Sequence, residues 1–301
     1  MINTRIVKYC LALILVSACS DPSQGQPKKM SQLPPPENQT EFSCVREADN
    51  LPPIDSELET RYQEVRAQEK QNNQSDWENL NNQYQYLAEQ GHWKAASRLA
   101  YRHIKGLGGP RSYSKAFQWY QHLADQNIPQ GYYNLAAMAE KGLGVDQDKE
   151  KAWAYLHRAA QTGSPHAQYR LGEIYLYPKN DDRMGELYHR CALSQGHAES
   201  ARALGRIHLV MGNYPKAMYF TQVAASMGLP TSMVKLDGVF RDGDYGYEKN
   251  LEHAAVYERF LYQLEYDASL TFPELAKLCP LPPHPTMGLY NPETDQNEMP
   301  E

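Results

Sequence analysis

The chain carries ten histidines, five cysteines and 36 acidic residues, the raw material for acid–base, thiol or metal chemistry. Their spacing does not assemble it. There is no His-Glu-x-x-His to hold zinc on one helix face, no Cys-x-x-Cys and no Gly-x-Ser-x-Gly elbow, and no Ser-x-x-Lys stands beside a plausible partner constellation. Asp181-Asp182 could attract a cation but reads as a solvated turn. Glu274, Cys279 and His284 fall together in TFPELAKLCPLPPHP, which reads as a cap rather than a hydrolase site. Gly106-Leu107-Gly108-Gly109 lacks the preceding strand and the Lys-Ser/Thr ending of a phosphate loop. The chain is therefore read as a non-enzyme with no catalytic residue, cofactor or metal. A net charge of −6 without a long basic run argues against nucleic acid, because phosphate binding needs clustered Lys and Arg.

The order in the sequence lies elsewhere. EKGLGVDQDKEKAWAYLHRAAQTG, from Glu140 to Gly163, is a blurred copy of IKGLGGPRSYSKAFQWYQHLADQN, from Ile104 to Asn127. Self-similarity at a fixed period marks a repeat architecture. A Leu anchors each unit: Leu99, Leu135, Leu171, Leu204 and Leu236, at spacings of 36, 36, 33 and 32. Four residues earlier stands a small residue: Ala95, Gly131, Ala167, Ser200 and Ser232. Gly91, Asn127, Gly163, Gly196 and Gly228 close successive units with the same spacings. Small residues let helices approach, Leu fills the contact one turn on, and Gly or Asn caps a helix C-terminus. A Lys-Ala pair at Lys115, Lys151 and Lys216 opens the second helix, which buries aromatics such as Trp119, Trp153 and Tyr219. His103 and His208 take an inter-helix aromatic position and read as packed core. The expected fold is all-α, a right-handed α-solenoid of about five to six helix-turn-helix units, because one helix pair cannot bury both its faces.

This pattern resembles the Sel-one-like repeat, a relative of the tetratricopeptide repeat. Unit two matches best, through Leu135, Gly142, Gly144, Val145, Asp146, Lys151, Ala152, Ala159, Ala160 and Gly163. Unit three departs from it, with Tyr177-Pro178-Lys179-Asn180 in place of the Gly-x-Gly loop, and unit five lacks the Lys-Ala. The resemblance implies that first helices line a groove. Positions two before and two after the anchor Leu would then face a protein partner, with the next turn beyond. The residues nominated are Tyr101, Tyr133, Glu140, Tyr169, Glu173, Arg202 and Arg206. Tyr and Arg are enriched at binding hot spots, and 22 tyrosines are many for a bland solenoid.

A closer likeness covers roughly residues 42–290. Phe42-Ser43-Cys44-Val45 followed by LPPIDSELETRYQ, Cys191-Ala192 before Gln195-Gly196-His197, and Pro280-Leu281-Pro282-Pro283 resemble a subgroup of bacterial Sel-one-like proteins. Several of its members are periplasmic immunity proteins that block a phospholipase delivered by a type VI secretion system. The resemblance implies that job here; a general envelope scaffold mediating protein–protein interactions is the alternative. Cys44, Cys191 and Cys279 allow three single pairings, or three free thiols. The subgroup motifs imply Cys44–Cys191.

The N-terminus, MINTRIVKYCLALILVSACSDPS, has a positive Arg5/Lys8 region and an apolar run too short to span a bilayer. Val16-Ser17-Ala18-Cys19 resembles a bacterial lipobox, which implies lipidation of Cys19 after cleavage. Ser20 favours the outer membrane by the same resemblance. The expected organisation is a lipoprotein signal peptide at 1–18, a flexible tether at 19–41, and an N-terminal extension at 42–75 packed on the solenoid. The solenoid follows at 76–265, then a C-terminal cap at 266–290 and a disordered tail at 291–301. Acyl chains contribute about 0.8 kcal/mol per buried CH₂, so Cys19→Ala should move the protein from membranes to the soluble periplasmic fraction. Fractionation with immunoblotting checks this.

Overall fold

The computed structural model describes residues 42–71, 76–177 and 179–299. The expected signal peptide, the expected lipidation site Cys19 and the expected tether lie outside them. Helix α1 (Ser56–Lys70) and helix α2 (Trp77–Glu89) precede five helix pairs. The first two pairs are α3 (Trp93–Lys105) with α4 (Tyr113–Asp125), and α5 (Pro129–Lys141) with α6 (Lys149–Gln161). Then come α7 (Pro165–Leu176) with α8 (Asp182–Ser194), and α9 (Ala198–Val210) with α10 (Tyr214–Ser226). The last pair is α11 (Pro230–Asp242) with α12 (Leu251–Tyr266). The principal contacts join each helix to its chain neighbours, from α1 through to α12. This is an α-solenoid.

Local chemistry sets the boundaries. Ser112, Asp148, Asp181, Asn213 and Asn250 each accept a hydrogen bond from the backbone N–H three residues on, capping α4, α6, α8, α10 and α12. The Lys of each Lys-Ala pair supplies that N–H at residues 115, 151 and 216. The five unit-closing residues all have positive φ, from 60° at Asn127 to 101° at Gly163, which favours Gly and tolerates Asn.

Packing follows the two sequence columns. The anchor leucines at 99, 135, 171, 204 and 236 are at most 1 % exposed, and so are Ala95, Ala167, Ser200 and Ser232. Replacing one such Leu by Ala costs about 2–5 kcal/mol. At Gly131 an added Cβ would lie 2.6 Å from the Ala124 nitrogen, so α5 rests directly on the α4 backbone.

The N-terminal extension crosses several units. Phe42 packs edge-on to Tyr188, and Cys44 is disulfide-bonded to Cys191 with a Cα separation of 5.5 Å. Gln168 Nε2 donates to the Val45 carbonyl at 2.7 Å, and the Glu47 N–H donates to Gln195 Oε1 at 2.7 Å. Helix α1 then docks on α2 and α3. Glu69 accepts from Arg98, from Arg102, whose side chain is fully buried, and from the Tyr84 hydroxyl. Burial would raise the Glu69 carboxyl, but these hydrogen bonds hold it down to about 2.

At the other end, residues 267–288 pack beside α10 and α12. Phe272 N–H donates to the Ser226 carbonyl, Gln222 Nε2 donates to the Cys279 carbonyl, and Cys279 is a buried free thiol. The expectation of a disordered tail from residue 291 is corrected. Strands β1 (Leu289–Asn291) and β2 (Gln296–Glu298) form an antiparallel hairpin. Its turn residue Asp295 accepts from Arg190 at 2.9 Å and from Tyr290 at 2.6 Å, and pairs with Lys216 at 2.9 Å. Tyr290 packs on Tyr219. A polar stretch that looks like solvated chain is thus held by cations from α8 and α10.

Opening the Cys44–Cys191 bond frees a loop with a sequence separation of 147. Cys44→Ser with Cys191→Ser should lower the melting temperature by roughly 5–15 °C, from the loop entropy a long cross-link removes. Thermal unfolding of the double variant against the oxidised protein measures it.

A candidate partner-binding face on the first helices

The nominated residues stand on the first helix of successive units, and side chains join these helices into one face. Arg170 of α7 reaches Glu140 of α5 at 3.0 Å, and Arg206 of α9 reaches Glu173 of α7 at 2.7 Å. Tyr133 of α5 packs against His166 of α7, whose ring meets His197 just before α9, and His197 stacks on Tyr169 with centroids 4.8 Å apart.

Glu173 and Arg206 are brought together, and the His189 ring also lies 3.2 Å from Glu173. Burial would raise the Glu173 carboxyl, but His189 and Arg206 hold it below the usual carboxylate range. Arg202 turns to Glu199 on its own helix at 2.6 Å, and Glu140 is taken by Arg170. These four charges are therefore paired already, each exposed pair contributing about 0.2–1 kcal/mol. Tyr101 stands apart on α3, 40 % exposed, beneath the Arg98 guanidinium at 4.8 Å. Val234 of α11 extends the face and is 53 % exposed.

Two histidines that sequence reasoning passed over sit at the centre of this face. His166 lies five residues before the anchor Leu171, outside the positions two before and two after it. His197 belongs to the turn between units. The His197 Nε2 lies 3.2 Å from His166 Nδ1, and its Nδ1 lies 3.1 Å from the Ser200 hydroxyl. Burial, and then the His166 charge, push His197 down to about 4. Arg170, which pairs with Glu140, was missed as well; its signal was simply a cation one residue before Leu171.

Among the described residues no three His, Cys, Asp or Glu side chains are grouped to hold a metal ion. Nor is any helix among them long and apolar enough to cross a membrane. His103 is half-buried, and His208 is buried and stacked on Phe220. What the face offers is rings and paired charges spread over several helices, a surface suited to another protein.

Comparison with known proteins agrees with this architecture. The Sel1 repeat matches four consecutive segments, residues 93–128, 129–164, 165–197 and 198–229, which correspond to the pairs α3–α4 to α9–α10. No curated protein matches the sequence. Among solved structures, immunity protein PA5088 from Pseudomonas aeruginosa is 33 % identical, with a TM-score of 0.68, over 83 % of this chain and 97 % of that one. Immunity protein Pa5087 from the same organism is also 33 % identical, with a TM-score of 0.63, over 82 % and 97 %. A Sel1 repeat protein from Oxalobacter formigenes, at 22 % identity and a TM-score of 0.55 over 62 % and 80 %, shares the fold.

The low His197 value has a pH consequence. Its folded pKa, about 4, lies below the ordinary imidazole value of 6.5, so the unfolded chain takes up the proton first. The stability it contributes is fully present above pH 6.5 and is lost as pH falls towards 4. NMR titration should place the His197 imidazole near 4, and His197→Gln should lose less stability on acidification than wild type. An imidazole titrating at its ordinary value would contradict the packing described.

Proposed function

We propose that this chain, which carries Sel1 repeats and belongs to one family with the immunity proteins PA5088 and Pa5087, is itself an immunity protein. It acts by binding a toxic partner protein and occluding it. The observation that carries the reading is the combination of 33 % identity over 97 % of those chains with a first-helix face of rings and paired charges. The target is a phospholipase delivered by a type VI secretion system, and the protein works in the periplasm, held at the outer membrane by lipid on Cys19. The signal-peptide pattern and the subgroup motifs support this finer reading. An anchored inhibitor would meet an incoming lipase where it acts.

Occlusion of an enzyme calls for a standard interface of about 1,600 Å² or more. A face running over α3, α5, α7 and α9 supplies an extended surface of that kind. Tyr133, Tyr169 and Arg206 are the anchors of the interaction. They are held in place by neighbours, so little side-chain entropy is lost on binding.

The test is periplasmic co-expression. The product of the neighbouring gene is exported with and without this protein, and survival and co-purification are followed. Rescue with a stable complex is expected, and Tyr133→Ala with Arg206→Ala should weaken that complex at least tenfold. Death without a complex would sink the immunity reading and leave an envelope scaffold.

A further inference from the structure

The units are not equivalent, and the difference opens a cleft. In units one and two the Gly-x-Gly loop presses onto the start of the preceding second helix. A Cβ at Gly108 would lie 2.3 Å from the Trp77 carbonyl oxygen, and one at Gly144 would lie 2.4 Å from the Tyr113 carbonyl carbon. Trp77 and Tyr113 are the first residues of α2 and α4. The next position in that 36-residue register is Lys149, the first residue of α6. The loop that would cover it lacks both glycines and carries Tyr177 and Lys179.

Two interior columns change at the same place. Tyr84 and Tyr120 are buried, and the next residue in register is Leu156. Arg102 and Met138 are buried, and the next in register is Ile174. A Leu where both preceding units place a Tyr leaves unfilled space. That space is a cleft of about 290 Å³ between α5, α6 and α7. Its apolar lining is Ala136, Ala152, Trp153, Leu156 and Ile174. Glu140, Arg170 and Lys149 also line it, and Lys179 lies over the Trp153 ring at 4.8 Å.

The charges around it are unequal. Glu140 is neutralised by Arg170. Among the described residues, neither Lys149 nor Lys179 pairs with a carboxylate; Lys179 instead rests on the rings of Trp153 and Tyr175. The cleft is therefore apolar inside, with two uncompensated cations at its mouth. It opens beside Glu140 on the first-helix face.

We propose that the cleft between α5, α6 and α7 is the socket for an aromatic side chain of the partner protein, inserted from a segment that carries carboxylates beside it. The inference rests on the partner-binding reading and names what the partner must present. An aromatic ring matches the volume and the Trp153 wall, and anchoring aromatics in pockets dominate protein interfaces. Acidic neighbours of that ring reach Lys149 and Lys179, which steer the encounter and fix its register. A basic segment is rejected by the same two cations.

The experiment has two arms. In the first, an acetylated, amidated hexapeptide Asp-Asp-Phe-Asp-Asp-Gly is titrated into the isotope-labelled protein and amide shifts are read by NMR. Two control peptides replace the Phe by Ala, or every Asp by Lys. Shifts should cluster at residues 149–156 and 170–179 at millimolar peptide, at least fivefold weaker for both controls. The filled variant, Leu156→Tyr, uses the side chain that both preceding units bury at this position, and it should abolish them. In the second arm the same variant is tested against the neighbouring gene's product. It should bind at least tenfold more weakly than wild type, as should Lys149→Glu with Lys179→Glu. Absent shifts, or equal shifts in the filled variant, overturn the socket, and so does unchanged affinity in the second arm. If the peptide binds as described but wild type neither binds nor neutralises that product, the socket stands and the immunity reading alone fails.

Discussion

Where α5 meets α4, the α4 backbone lies so near Gly131 that a methyl group there would sit 2.6 Å from the Ala124 nitrogen. The same small-residue column recurs as Ala95, Ala167, Ser200 and Ser232, all buried. Close approach at this point sets the distance between successive units, and the anchor Leu one turn away fills what remains. Because every unit repeats the contact, the first helices form a continuous face, with pairs such as Glu140–Arg170 and Glu173–Arg206 bridging one unit to the next. The face is a consequence of the backbone approach behind it.

A solenoid whose units touch only their neighbours has two open ends and bends readily along its length. This one is tied at three places. The disulfide from Cys44 to Cys191 and the hydrogen bonds of Val45 and Glu47 hold the extension to α7, α8 and the turn before α9. Glu69 fastens α1 to α3 through Arg98 and Arg102. Asp295 fastens the C-terminal hairpin to α8 and α10 through Arg190 and Lys216. Restricting the bending of the solenoid preorganises the face, which lowers the entropic cost of binding a large partner.

The repeating core was legible because its information is local and periodic. The Leu and small-residue columns, the unit-closing Gly or Asn and the Lys-Ala openings all mark real helix boundaries or contacts. The ends were less legible. Nothing near Asp295 in sequence shows that its partners stand at residues 190 and 216, so residues 291–299 read as loose tail. Glu69 looks like any surface glutamate of a polar helix until Arg102 is found buried against it. On the face itself, Tyr133, Tyr169 and Arg206 could be nominated because the resemblance implied that first helices line a groove. His166 and His197 could not, since their meeting depends on how the turn before α9 folds over α7. The cleft beside Trp153 was hidden for a different reason: the loss of the Gly-x-Gly loop in unit three was legible, but the space it uncovers between α5, α6 and α7 depends on how those helices pack.

The central claim is that the protein works by presenting its first helices to a partner. Hydrogen–deuterium exchange of the protein, alone and with the neighbouring gene's product, tests this most directly. The account predicts new protection concentrated on α5, α7 and α9 and on the Tyr177–Asp181 loop, with α4, α6, α8 and α10 changing little on their outer sides. Protection confined to those second helices, or to the C-terminal hairpin, would contradict it.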